Sequence, residues 1–253
     1  MCGICGVSQA DGNIHQALLR AMNNTIQHRG PDGEGIYIGD TVGLAMRRLA
    51  IIDVDGSDKP LYNDDQSITA VFNGEIFNFQ ALRDDLMAKG HQFRTDGDGE
   101  TIVHLYEEYG TDFPQYLRGQ FAIALWDSTQ QQLLLVRDRY GQKPLYYYHA
   151  GDTIVFASEI KAILKHPAVP CESAFDTPTM LAKYLSYGYI PAPDTAFRGI
   201  QALMPAQILI YRQNTIHTEN YWQIPHITDE ILSTDTISHY VDLTREALQE
   251  AIQ

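Results

Sequence analysis

Cys2 lies in the opening segment Met1-Cys2-Gly3-Ile4-Cys5-Gly6-Val7 of a 253-residue sequence. Removal of one residue would leave a thiol and a free α-amine on the same residue. An α-amine titrates near about 7.7–8.0 and a cysteine thiol near about 8.5, so near neutral pH the amine can take the thiol proton with no histidine at hand. While Met1 stays attached, that nitrogen is an amide and cannot act as the base. A second-position cysteine is a weak signal on its own, and Cys2-x-x-Cys5 also reads as a redox pair or half of a zinc site. The remaining cysteine is Cys171, so no second pair completes a metal site or a disulfide framework, and no metal is expected.

The elements that must position this residue follow from periodicity. Residues 2 to 8 are small and apolar, a buried strand. Ile14, Leu18, Met22 and Ile26 then mark one stripe of an amphipathic helix. It stops before the loop His28-Arg29-Gly30-Pro31-Asp32-Gly33, which two short strands follow, around Gly35 to Ile38 and Val42 to Leu49. Ser67 to Phe72 alternates toward Asn73-Gly74, which reads as a turn, and a helix with Phe79, Leu82 and Leu86 starts behind Asn78 as a cap. A further helix follows Asp98-Gly99 and is stopped by Gly110. Gln120 to Trp126, Gln132 to Arg137, Leu145 to Tyr148 and Thr153 to Phe156 read as consecutive strands of one largely antiparallel sheet. After a mixed region a last strand is expected near Gln207 to Tyr211. Val241, Thr244, Leu248 and Ile252 then give helical spacing at the tail. Strands grouped with helices imply sheet layers covered by helices.

Bulk properties narrow the function classes. A 44% hydrophobic composition supports a sizeable core, while 18 Lys and Arg against 32 Asp and Glu give a net charge of -14. That balance removes the electrostatic footing for nucleic acid or an anionic membrane and favours a small-molecule or protein partner. Few cysteines, no signal-peptide pattern and no apolar run of about 20 residues point to a cytoplasmic protein.

Further segments join Cys2: His28-Arg29-Gly30-Pro31-Asp32, Arg48-Leu49-Ala50-Ile51-Ile52-Asp53, Asn73-Gly74-Glu75-Ile76-Phe77-Asn78, Asp96-Gly97-Asp98-Gly99-Glu100 and the run Arg137 to Leu145. In this order they closely resemble the glutaminase domain of glutamine-dependent asparagine synthetases, a class II amidotransferase and N-terminal-nucleophile hydrolase. The resemblance implies an α+β fold, the four-layer αββα sandwich of that superfamily, over residues 2–212. Tyr187 to Ile200, Leu203 to Ala206 and Tyr221-Trp222 resemble the segment that joins the two domains of bacterial members. Residues 213–253 are accordingly read as a linker and the first helix of an ATP-pyrophosphatase synthetase domain, whose Ser-Gly-Gly-x-Asp-Ser loop does not occur in this sequence.

Carried over residue by residue, the resemblance makes Cys2 the nucleophile on the side-chain amide of L-glutamine, with its own amine as base and then acid. Asn73 and the Gly74 N–H would form the oxyanion hole. Glutamine's carboxylate needs a cation, for which Arg48 is suited by its planar fork, and its ammonium needs an anion, for which Asp98 is suited with Glu75 assisting. Backbone groups of Leu49, Ile51 and Ile52 would line the pocket. Each residue also has an ordinary alternative: Asn73-Gly74 as a plain hairpin turn, Arg48 as half of a solvated Arg47-Arg48 pair, Asp98 as a helix cap. His28 is given no catalytic role, Cys5 is read as a small buried hydrophobe, and the Arg137 and Ser158 segments are read as structural.

The reaction implied is hydrolysis of glutamine to glutamate and ammonia with no cofactor. The ammonia would serve the amidation of aspartate, with ATP and Mg in a synthetase domain held in cis or in trans. Two rivals stay open: an amidotransferase of this fold serving a sugar or surface-polysaccharide acceptor, and a non-catalytic glutamine-binding module. A homodimer is compatible with either.

Overall fold

Alternation along Gly3–Gln9 (β1) sets the architecture: Ile4 points into one apolar cluster while Cys5 and Val7 point into another. The same two-sided burial holds for Val42–Arg48 (β3), where Leu44 and Met46 face one way and Ala45 the other. The computed structural model of the protein describes residues 2–50, 60–224 and 237–252. One compact unit runs to Trp222 and a second begins at Gln223. Within the first, β1 and β3 join Gly33–Ile38 (β2), Tyr146–Ala150 (β8), Thr153–Ala157 (β9) and Ile200–Ala202 (β10) in a six-stranded antiparallel sheet ordered β10-β8-β9-β1-β3-β2. A second six-stranded sheet holds Leu61–Tyr62 (β4), Ile68–Ile76 (β5), Gly119–Asp127 (β6), Gln132–Arg137 (β7), Gln207–Arg212 (β11) and Thr215–Asn220 (β12), ordered β12-β11-β7-β6-β5-β4.

Three apolar clusters separate four layers. Ile4, Leu44, Val71, Ala124, Leu135 and Phe156 interleave between the sheets. Leu19, Met22 and Ile26 of the helix Gln16–Thr25 (α1) and its C-terminal edge pack with Cys5, Val7 and Ala45 on the outer face of the first sheet, joined by the short helix Ile160–Ile163 (α4). On the outer face of the second sheet, Phe72, Phe121 and Ile123 meet Leu86 of Phe79–Ala88 (α2) and Ile102 and Leu105 of Glu100–Tyr109 (α3). Each large side chain fully enclosed in these layers contributes about 1.5–3 kcal/mol over its exposed state. The expected αββα sandwich is therefore present.

Several local expectations are corrected. Asn73-Gly74 is not a turn: β5 runs straight through it to Ile76, with Gly74 opposite Phe121 of β6. Gly74 has φ +157, and a Cβ there would lie 2.0 Å from the Gln120 carbonyl oxygen, so only glycine lets the strands approach this closely. The strands between 120 and 156 do not share one sheet: β6 and β7 stay in the second, while β8 and β9 cross to the first. Alternation specifies which face is buried but not which sheet a hairpin joins. Asn78 occupies the N-cap of α2 without capping it; its amide instead donates to the Tyr116 carbonyl at 2.9 Å and accepts from Arg118 N at 2.8 Å. The mixed region contains a helix, Pro178–Tyr187 (α5), capped by Thr177 and ended by Gly188 in a left-handed conformation. In the second unit Ile237–Ile252 (α6) is helical. No helix among the described residues is long and apolar enough to cross a membrane.

Candidate active site

Strand parity brings the chemistry to one place. Cys2 precedes β1 in phase with Ile4, Arg48 ends β3 in phase with Leu44 and Met46, and Asn73 and Glu75 follow Val71 along β5; Ile4, Leu44, Met46 and Val71 all line the space between the sheets. The adjacent Arg47 falls on the opposite face, where it donates to the Asn23 carbonyl at 3.3 Å, contacts Asn24 and pairs with Glu34 at 3.2 Å. Arg47 is buried, so the two arginines are not a solvated pair.

The thiol is bracketed by one residue. The Leu49 N–H donates to Cys2 Sγ at 3.4 Å and Sγ faces the Leu49 carbonyl at 3.7 Å. Leu49 is held there because the Gly30 to Asp32 loop presses on the end of β3. Asp32 N donates to the Arg48 carbonyl at 3.1 Å, its carboxylate accepts from Ala50 N at 2.9 Å, and a Cβ on Gly30 would meet the Arg47 carbonyl carbon at 2.4 Å. Two residues outside the expected set fix Cys2 from the other side. Arg29 Nε donates to the Cys2 carbonyl at 2.9 Å, and its guanidinium is oriented by Glu159 at 3.1 Å. Ser158 Oγ accepts from Ile4 N at 3.0 Å and Ser158 N donates to the Ile4 carbonyl at 2.8 Å. His28 pairs through Nε2 with the same Glu159 carboxylate at 2.8 Å, and Lys161 with its second oxygen at 2.9 Å. Burial pushes the Glu159 carboxyl up, but hydrogen bonds from Lys161, Arg29 and His28 hold it below the usual glutamate range.

Opposite, Asn73 is wholly buried, yet neither its amide nitrogen nor its carbonyl oxygen has a hydrogen-bond partner. A buried amide in this state costs about 1–3 kcal/mol unless something else engages it. Beside it, Phe121 commits both its N–H and its C=O to Asp138, at 3.3 and 2.9 Å, so the Gly74–Phe121 pair is of the non-hydrogen-bonded kind and the Gly74 N–H points off the free edge of β5. Ile76, two residues on, points its N–H to the same side and there donates to the Asp98 carboxylate at 2.8 Å. Asp98 is buried and does not cap α3, whose N-cap is Gly99; Thr101 Oγ1 donates to its carbonyl at 2.6 Å. Burial and the Asp98 charge raise the Glu75 carboxyl above its ordinary range, against a lowering by the buried Lys143.

The structure thus forms two groups on facing sheets: Cys2 and Leu49 with Arg48 at the end of β3, and Asn73, Gly74 and Glu75 on β5 with Asp98 bonded to its Ile76 N–H; β1 and β3 both pack on β5. Ile51 and Ile52 lie outside the described residues. Arg29, Ser158 and Lys143 were not singled out by sequence; the signal for Arg29 was its place in the His28 to Asp32 loop. Cys5 is enclosed, with burial driving its thiol well above the usual range, so it is chemically quiet. The Arg137 to Leu145 segment is structural. The Arg137 guanidinium donates to the carbonyls of Lys143, Leu203 and Gly141, and the Asp138 carboxylate accepts from four backbone N–H groups, those of Phe121, Tyr140, Gln142 and Lys143.

Similarity to known proteins extends over the whole chain. Asparagine synthetase [glutamine-hydrolyzing] 2 of Bacillus subtilis is 34% identical over 100% of this chain and 36% of its own length. Asparagine synthetase [glutamine-hydrolyzing] 3 of Arabidopsis thaliana is 43% identical over 64% of this chain and 28% of its own. The chain thus spans well under half the length of these relatives. Among solved structures, an allosteric regulatory enzyme of purine biosynthesis superposes with a TM-score of 0.63 at 18% identity, over 88% of this chain and 50% of that one. The glutamine phosphoribosylpyrophosphate amidotransferase of B. subtilis does so with a TM-score of 0.59, also at 18% identity and the same coverage. These two establish the fold, that of N-terminal-nucleophile amidotransferases. The model of the glutamine amidotransferase domain matches residues 1–222, and the chain belongs to that family, in its second class.

Proposed function

We propose that this chain is the glutaminase half of a glutamine-dependent asparagine synthetase, with Cys2 as nucleophile. The observation that carries the reading is the buried, unpartnered amide of Asn73 on β5, a strand that packs on β1 across the sandwich. With Met1 removed, the Cys2 amine takes the thiol proton and the sulfur adds to the side-chain amide carbon of glutamine. Negative charge develops on the former carbonyl oxygen, and Asn73 Nδ2 with the Gly74 N–H stabilises it. The intermediate collapses to a thioester as the amine protonates departing ammonia, and water activated by the same amine hydrolyses the thioester to glutamate.

Arg48 binds the α-carboxylate of the substrate, Asp98 with Glu75 its ammonium, and the backbone at Leu49, Ile51 and Ile52 its side chain. Arg29 and Ser158 hold Cys2 in place through its carbonyl and through Ile4. The whole protein's activity, ATP- and Mg-dependent amidation of aspartate, belongs in this reading to a synthetase domain in cis or trans, to which the residues after Trp222 lead; the boundary expected at 213 moves because β12 completes the second sheet. The similarity of the full chain to asparagine synthetases supports that assignment over other acceptors.

Cys2→Ala tests it. Ammonia release from glutamine should vanish while glutamine binding, followed by calorimetry, persists; undiminished release would exclude the mechanism.

A further inference from the structure

On the outer layer of the second sheet, the chain returning from α2 places His91 against one face of α3, where His104 and Glu107 stand three residues apart and so project side by side. Three atoms with lone pairs converge: His91 Nδ1 lies 3.2 Å from His104 Nδ1 and 3.4 Å from Glu107 Oε2, and His104 Nδ1 lies 2.8 Å from that same oxygen. A zinc ion about 2.0–2.1 Å from each of three tetrahedral ligands needs them about 3.3 Å apart, and the observed triangle is close to that.

The outer partners are those a metal centre uses. His91 Nε2 is bonded to the Glu108 carboxylate at 3.0 Å, which in the neutral ring places the proton there and leaves Nδ1 as the acceptor a metal ion would use. Glu108 is in turn held by Lys89 at 3.0 Å. The second oxygen of Glu107 accepts from the buried Asn63 amide at 2.9 Å, leaving Oε2 for the convergent point. His104 is completely enclosed; its Nε2 has no hydrogen-bond partner and faces Glu100 Oε1 at 3.9 Å. With both imidazoles neutral, protons serve this triangle poorly. The N–H on His104 Nδ1 would have to satisfy both the Glu107 oxygen and the bare His91 nitrogen. His91 and Glu107 keep some exposure, 13% and 27% of their side chains, so an ion can enter from solvent.

We propose that His91, His104 and Glu107 form a binding site for a first-row divalent cation, Zn2+ foremost, with a fourth position open to water. Two imidazoles and one carboxylate are a recurrent zinc donor set. The ion would cross-link the segment after α2 to α3. This site is separate from the glutaminase reading and does not depend on it.

The test uses the full chain in a Cys2→Ala background, so that the N-terminal thiol cannot contribute a ligand. After chelator stripping, Zn2+ is titrated against a chromogenic competitor, and Co2+ is read by visible absorption. The site predicts one Zn2+ per chain, the strong visible bands of a four-coordinate Co2+ centre, and a melting temperature raised by Zn2+. His91→Ala and Glu107→Gln sit at the partly exposed rim and should fold without metal, each weakening Zn2+ uptake by about tenfold or more. His104→Ala, at the enclosed position, is a secondary variant. No stoichiometric uptake, or uptake unchanged by both His91→Ala and Glu107→Gln, would overturn the proposal and leave the cluster a proton-sharing network.

Discussion

Asn73 and Asp138 stand at the same level of the second sheet. Asn73 pairs across to Ala122, Ala122 pairs across to Arg137, and Asp138 follows directly. Both side chains are wholly buried. Asp138 accepts four backbone N–H bonds and ties the 138–143 loop to β6, whereas Asn73 makes no hydrogen bond at all. Burial does not separate the two; satisfaction does. A buried polar group with every partner in place holds structure, and one left without partners at the same level of the sheet does not, which is why the proposed function gives Asn73 to the substrate.

Breaking the satisfied member should have the larger effect on folding. Asp138→Ala strands four donors in a closed environment and should lower stability by about 3–5 kcal/mol, measured by urea unfolding. A loss below about 1 kcal/mol would show that the loop is held by something else. Asn73→Ala should invert the pattern. Turnover of glutamine falls by about 100- to 1000-fold, equivalent to about 2.7–4 kcal/mol of barrier, while stability changes by less than about 1 kcal/mol, because no hydrogen bond within the fold is lost. A strong destabilisation in this variant would turn Asn73 into a second Asp138.

A smaller effect sharpens the contrast at the periphery. Glu159 orients Arg29, and its carboxyl is held below the ordinary range by Lys161, Arg29 and His28. A depressed acid stabilises the fold above its unfolded pKa and ceases to do so as pH falls through the folded value. Glu159→Gln should therefore lose about 1 kcal/mol at neutral pH, and the gap from the parent should close below the ordinary glutamate range. A gap that persists there would mean that the charge of Glu159 is not what matters.

The layers of the fold were legible because apolar period marks burial: Ile14 to Ile26 gave α1, Val42 to Leu49 gave β3, and Ile102 to Tyr109 gave α3. Asn73-Gly74 misled because its strongest local meaning is a two-residue turn, whereas the strand continues through a close approach of Gly74 to Gln120 and Phe121 of β6, matched by Gly119 of β6 against Glu75. Arg47 and Arg48 look alike in a list of charges; only parity along β3 sends one to α1 and the other to the space between the sheets. The Cys2 site was traceable through motif order, while Arg29 and Ser158 act through the backbone of Cys2 and Ile4, contacts that no side-chain chemistry announces. His91 and His104 lie on separate elements, and their meeting depends on how the chain leaves α2.

The most direct test is to compare ammonia release from glutamine by two forms of the protein, one with a residue still attached ahead of Cys2 and one with that residue removed by a specific aminopeptidase. Release should begin only when the amine of Cys2 is free, the thiol being present in both. Equal rates from the two forms would contradict the shared role of sulfur and amine.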